Sequence, residues 1–187
     1  MSDLRIAGLD LSLTSTGVAL IQPGGPVSVH RIQPPPAAKA AVHERLKFLY
    51  TGVRQLVHGA TNITVEGPSF GSPQRQHLMG GMWWVVMHVL YLDNPDAEVV
   101  VVQPTTLKVY ATGRGNKLEK DEVAIQVARR YPDADIRNHD MADAWVLAAM
   151  TADHLGCPLT ELPKTHRRAL DGWPYTKHGA PHGEQGQ

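Results

Sequence analysis

The 187-residue sequence predicts an α/β domain: a mixed five-stranded sheet with helices on both faces. Three observations predict it. Strand-like segments joined by short turns come first. Strands and helices then alternate. One β-branched run, Val99-Val100-Val101-Val102, reads as a central strand buried on both faces.

Taken in order, residues 4–11 form a short apolar run that contains Asp10 and reads as a buried strand. Residues 12–17 are a turn rich in Ser and Thr, and 18–21 are a second strand. Pro23-Gly24-Gly25-Pro26 turns the chain into a third strand at 27–32, which completes an antiparallel meander. Pro34-Pro35-Pro36 then precedes a helix on which Val42, Leu46, Leu49, Val53 and Leu56 recur at spacings of three and four. Residues 63–66 are a strand ending on Glu66, followed by a Gly- and Pro-rich loop at 67–73. Residues 76–91 look helical and apolar on several sides. Pro104 suits the first turn of a short helix carrying Lys108, and 112–116 form a glycine-containing loop. Residues 118–130 predict a helix with Val123 and Val127 inward. Residues 140–155 predict a last helix that packs through Ala144, Leu147 and Ala148. Beyond Pro158 the chain turns polar, so the expected organisation is one domain over 1–158 and a flexible tail over 159–187.

Composition narrows the function classes. Eighteen basic residues balance eighteen acidic ones, so any surface for a polyanion must come from local clustering. The single cysteine, Cys157, excludes an internal disulfide framework and a multi-cysteine zinc site, and reads as a small packed residue. A reducing cytoplasm is the expected setting. The start of the chain lacks the basic and apolar regions of a signal peptide, and the longest apolar run, broken by His88, is too short to span a bilayer.

Four carboxylates stand apart. Asp10 and Glu66 end buried strands, where a lone charge is costly without a partner or a metal. In open sheets, sites gather at strand carboxyl ends. Asp140 and Asp143 are three apart on a helix and share a face. Four converging carboxylates match the all-oxygen ligation of Mg2+ and similar ions, a pair of which can drive phosphodiester hydrolysis. Read singly, Asp140 is also a natural helix N-cap and Asp10 a turn cap.

At this point the pattern resembles the RuvC-like Holliday-junction resolvases of the ribonuclease H-like superfamily. Gly8-Leu9-Asp10-Leu11-Ser12 with Thr16-Gly17 is similar to their first-strand motif, and Val65-Glu66 to the strand bearing their second acid. Pro104-Thr105-Thr106-Leu107-Lys108, Thr112-Gly113-Arg114-Gly115-Asn116 and Glu119-Lys120 form the most specific match. His139-Asp140-Met141-Ala142-Asp143-Ala144 resembles the family's final acidic helix. The resemblance spans roughly residues 4–155. It implies a ribonuclease H-like fold and a homodimer that nicks two strands of a branched DNA, a four-way junction, symmetrically. It also implies two Mg2+ or Mn2+ ions on Asp10, Glu66, Asp140 and Asp143, with Lys108 and Lys120 near the scissile phosphate. The loop after Glu66 departs from the family pattern, placing Gly67-Pro68-Ser69 before Phe70.

Further DNA contacts are expected from Phe70, by stacking on an unpaired base, and from Arg75, Arg114 and Lys117, by holding phosphates. The alternatives are a folded-back phenylalanine and ordinary solvated charge. Of Trp83 and Trp84, adjacent on a helix, one should pack inward and the other face a partner subunit. His139 beside Asp140 reads as a hydrogen-bonding histidine before a ligand. Lys164, His166, Arg167 and Arg168 form a basic patch suited to non-specific DNA contact. Other functions stay open: a flap, fork or ribosomal-RNA-processing nuclease of the same fold, an actin-like ATPase-type phosphate-binding protein, or a catalytically silent junction binder.

Overall fold

The computed structural model describes residues 4–36, 41–68, 73–115, 118 and 121–173, with the backbone alone for 73–75. Strands β1 (Ile6–Asp10), β2 (Thr16–Ile21) and β3 (Val27–Ile32) form the meander. Helix α1 (Val42–Val57) leads to β4 (Asn62–Glu66), α2 (Pro73–Asp93) to β5 (Glu98–Val102). Helices α3 (Pro104–Thr112), α4 (Glu122–Arg130), α5 (His139–His154) and α6 (Lys164–Arg167) follow. The sheet order is β3-β2-β1-β4-β5, antiparallel through the meander and parallel across β1-β4-β5. This is the expected mixed five-stranded sheet.

The strand period of two divides the core into two layers. Leu9, Ala7, Ile63 and Val65 join Leu49, Val53, Met82, Val86 and Leu90 under α1 and α2. Ile6, Ala19 and Ile21 face the other way and pack with Leu107, Val127 and Leu147 under α3, α4 and α5. Thr64 also faces α5, where its hydroxyl bonds that of Thr151. Helix α5 is buried almost all round from Met141 to Asp153, a wider contact than the three residues Ala144, Leu147 and Ala148 suggested. Its small side chains let it sit between the sheet and its neighbouring helices.

Two expectations change. The run Val99-Val100-Val101-Val102 forms an edge strand, not a central one. Its apolar character reflects helices on both faces, with Val99 in one core layer and Val100 and Val102 in the other. The polar segment after Pro158 packs as far as Trp173. Helix α6 and a 3-10 turn at Arg168–Leu170 lie on α3, with Ala169 and Trp173 buried and Trp173 stacked on His154. Residues 174–187 lie outside the described residues. Among the described residues no helix is long and apolar enough to cross a membrane.

Candidate active site

Register builds the site. The parallel ladder pairs Gly8 with Thr64 and Leu9 with Val65, so Asp10 and Glu66 come next, side by side at the two strand ends. Because side chains alternate, both acids lie on the face that Gly8 and Thr64 turn toward α5. Two glycines allow that helix to lie on the sheet. A Cβ on Gly17 would stand 1.9 Å from the Asp140 carbonyl oxygen, and one on Gly8 would stand 2.2 Å from that of Ala144. Gly17 is the antiparallel partner of Asp10, so the first turn of α5 is set down beside the strand-end acids. Asn138 caps the helix, its side-chain oxygen accepting from the Met141 N–H at 2.9 Å. Asp140 is therefore free of the capping role, which decides an ambiguity left by the sequence. Instead it accepts a hydrogen bond from the Ser15 hydroxyl, with the Arg31 Nε 3.8 Å away.

The electrostatics follow from this packing. Burial, then the charges of Glu66 and Asp143, a hydrogen bond to Glu66 and the charge of Asp140, hold the Asp10 carboxyl well above its ordinary range. Burial raises Glu66, opposed by the Asp10 hydrogen bond and the Lys108 charge. Asp143 is pushed up to about 7 by burial, then by Glu66 and Asp140, with Lys108 opposing. Lys108, on the exposed side of α3, is thus a cation felt by two of the acids. Asp10, Glu66 and Asp140 border a cleft of about 240 Å³ that Ser12, Met79 and Trp83 also line. The Trp83 indole donates to the Glu66 carbonyl at 3.1 Å and so braces the end of β4, while Trp84, edge-on to Trp83 with ring centroids 5.0 Å apart, is 66% exposed. A larger apolar hollow of about 600 Å³ lies between Ile32 and α1; none of the four acids borders it.

The other expected residues divide. Arg114 is ion-paired with Glu122, and the His139 Nε2 lies 3.2 Å from an Asp121 carboxylate oxygen. The basic patch at 164–168 is largely spent within the chain. His166 Nδ1 lies 2.8 Å from the Tyr110 carbonyl, Arg167 pairs with Asp153, and Arg168 donates to the Gly113 carbonyl at 3.1 Å. Phe70, Lys117, Lys120 and the Arg75 side chain lie outside the described residues. Sequence reasoning missed Ser15 and Arg31, which looked like an ordinary turn and strand, and the bracing bond of Trp83. Neutral hydroxyls and distant pairings leave no periodic signal.

Among the described residues, no three His, Cys, Asp or Glu side chains are already gathered as a ligand set, and Asp10 and Glu66 are hydrogen-bonded to each other. The donor chemistry nevertheless fits a hard divalent cation. It is all oxygen, largely buried, mutually repelling, and open on one side to a cleft. Proton sharing between carboxyls and ligation of a cation are alternative ways to offset the same excess of negative charge.

No protein-family model matches the chain. It is 30% identical over 159 residues to the crossover junction endodeoxyribonuclease RuvC of Hyphomonas neptunium, an alignment covering 81% of this chain and 92% of that protein. Among solved structures it is similar to Thermus thermophilus RuvC, with a TM-score of 0.63 at 20% identity over 82% of this chain and 98% of the other. It is also similar to T. thermophilus RuvC in complex with Holliday junction substrate, with a TM-score of 0.62 at 16% identity over 82% and 97%. At these identities the structural likeness speaks for the fold.

Proposed function

Because the chain belongs to the RuvC family of crossover junction endodeoxyribonucleases, we propose that it is a metal-dependent endonuclease that resolves four-way DNA junctions by paired, symmetric nicks. The observation that carries this reading is the placement of Asp10 and Glu66 side by side at parallel strand ends beneath Asp143, with all three carboxyls raised by burial. Asp10, Glu66, Asp140 and Asp143 would hold the ions, two of Mg2+ or Mn2+ in our reading. Bound there, such ions supply an activated water and stabilise the leaving oxygen of the phosphodiester.

The chain's own residues do the rest. Trp83 and the β1-β4 register fix two ligands, and the seating of α5 fixes the other two. Lys108 adds positive charge beside Glu66 and Asp143, where a polyanion must approach four acids. Arg114, exposed despite its pairing with Glu122, exchanges that partner for a phosphate. Phe70, Arg75, Lys117 and Lys120 complete the DNA surface. Paired nicks need two sites facing one junction, so the working unit is a two-fold dimer. Trp84, Tyr91 and Leu92 on the exposed side of α2 form its interface.

Labelled four-way, three-way, flap and linear DNAs incubated with Mg2+ or with a chelator test this. We expect symmetric cleavage of the four-way junction that the chelator abolishes. Preferential cutting of flaps or forks would move the substrate to another branched DNA. Metal-independent cutting would remove the role given to the acids.

A further inference from the structure

Asp10 and Glu66 are hydrogen-bonded to each other, whereas Asp140 is bonded to a hydroxyl outside the four acids. Its carboxylate accepts from the Ser15 hydroxyl. Ser15 is buried, and its oxygen in turn accepts from the Arg31 Nε–H at 2.7 Å. The geometry of this chain is set by the sheet. Arg31 on β3 pairs with Gly17 on β2, and Gly17 pairs with Asp10 on β1. Arg31, Gly17 and Asp10 therefore form one row across the sheet. The Asp140 backbone is seated directly on Gly17 in the middle of that row.

A serine hydroxyl has one proton and can give it to one of several neighbours. Here the Arg31 Nε–H occupies a lone pair of the Ser15 oxygen, which leaves the proton directed at Asp140. We propose that Ser15, held by Arg31, is a positioning residue that sets the orientation of the Asp140 carboxylate toward the ion-binding cleft. This rests on the reading of Asp140 as a metal ligand. Partners of this kind, which touch the ligand and not the ion, typically change metal affinity by about 10–100-fold when removed.

The role of Arg31 is distinguishable from that of a nearby charge. Removing a cation 3.8 Å from Asp140 strengthens ion binding by Coulomb's law, whereas loss of orientation weakens it. A double-mutant cycle cancels the charge effect, because both arms of the comparison without Arg31 lack it equally.

Mn2+ affinity measured on the full chain without DNA, by the paramagnetic resonance signal of the free ion, provides a readout independent of cleavage. Wild type, Asp140→Asn, Ser15→Ala, Arg31→Ala and the Ser15→Ala/Arg31→Ala double variant are compared, each with its metal-free melting curve. Ser15→Ala should weaken Mn2+ binding about tenfold with the metal-free melting temperature nearly unchanged. The same substitution in the Arg31→Ala background should change affinity less than about twofold, since Ser15 is no longer held. If Ser15→Ala melts well below wild type, Ser15→Cys, which keeps the volume, takes its place. Equal loss in both backgrounds, or none in either, would overturn the relay while Asp140→Asn still abolishes binding. Wild-type affinity in Asp140→Asn would instead remove the metal reading on which the relay stands.

Discussion

The two ends of α5 carry buried carboxylates in opposite surroundings. Toward its C-terminus, Asp153 is 3% exposed, and the chain supplies its counter-charge. Arg167 Nη2 lies 2.9 Å from one oxygen, and the Tyr110 hydroxyl donates to the other at 3.3 Å. Toward its N-terminus, Asp143 faces Glu66 and Asp140, and Asp10 sits beside Glu66, with Lys108 as the opposing charge on Glu66 and Asp143. One residue type on one helix thus serves two ends. Where the protein provides the cation, the acid ties a polar segment to the fold. Where, among the described residues, it supplies only Arg31 and Lys108 against four acids, the carboxyls stay strongly perturbed, and such groups beside a cleft point to function, in our reading the binding of a cation from solution.

The contrast is broken most sharply by substitution at each end. Asp10→Asn should lower the single-turnover cleavage rate by about 10³-fold or more while leaving junction affinity largely intact. A variant that still cuts near the wild-type rate with Mg2+ would end the assignment of the acids to metal. Asp153→Asn should do the reverse. Asp153 is buried but Arg167 is 55% exposed, so losing this contact costs about 1–2 kcal/mol of stability, read from the denaturant midpoint, with the rate at saturating metal unchanged below the transition.

A smaller effect sharpens the comparison through pH. Asp143 titrates at about 7 in the folded chain against an ordinary 3.8. Between those values the folded state binds more protons than the unfolded one, so stability falls as pH rises. The penalty is absent below the ordinary value and complete above about 7. Metal-free protein should therefore lose stability on going from pH 4 to 8, and Asp143→Asn should recover about 2 kcal/mol of it at pH 8 while losing cleavage. A flat metal-free profile would show that the carboxyls are not held together in solution. The smallest change is expected for Lys108→Ala, a roughly tenfold drop in the saturated cleavage rate with little change in affinity. Lower affinity at an intact saturated rate would make Lys108 a remote phosphate contact. Lys120→Ala should behave in the same way.

Local pattern was enough for the strand-end acids and for the shared face of Asp140 and Asp143. The periods of strand and helix say which side chains are buried, and an acid on a buried side is conspicuous. The meander and the alternation of strands and helices were legible for the same reason. Burial does not say which element covers a residue, so the β5 valines were misplaced to the sheet centre when helices cover an edge strand. The basic run at 164–168 looked like a solvated tail because its partners, Asp153, the Tyr110 carbonyl and the Gly113 carbonyl, belong to other elements. Ser15 meets Asp140 across 125 residues of sequence. Tertiary structure alone decided which carboxylates on α5 receive a cation from the chain, because pairing depends on distances in space that no local period encodes.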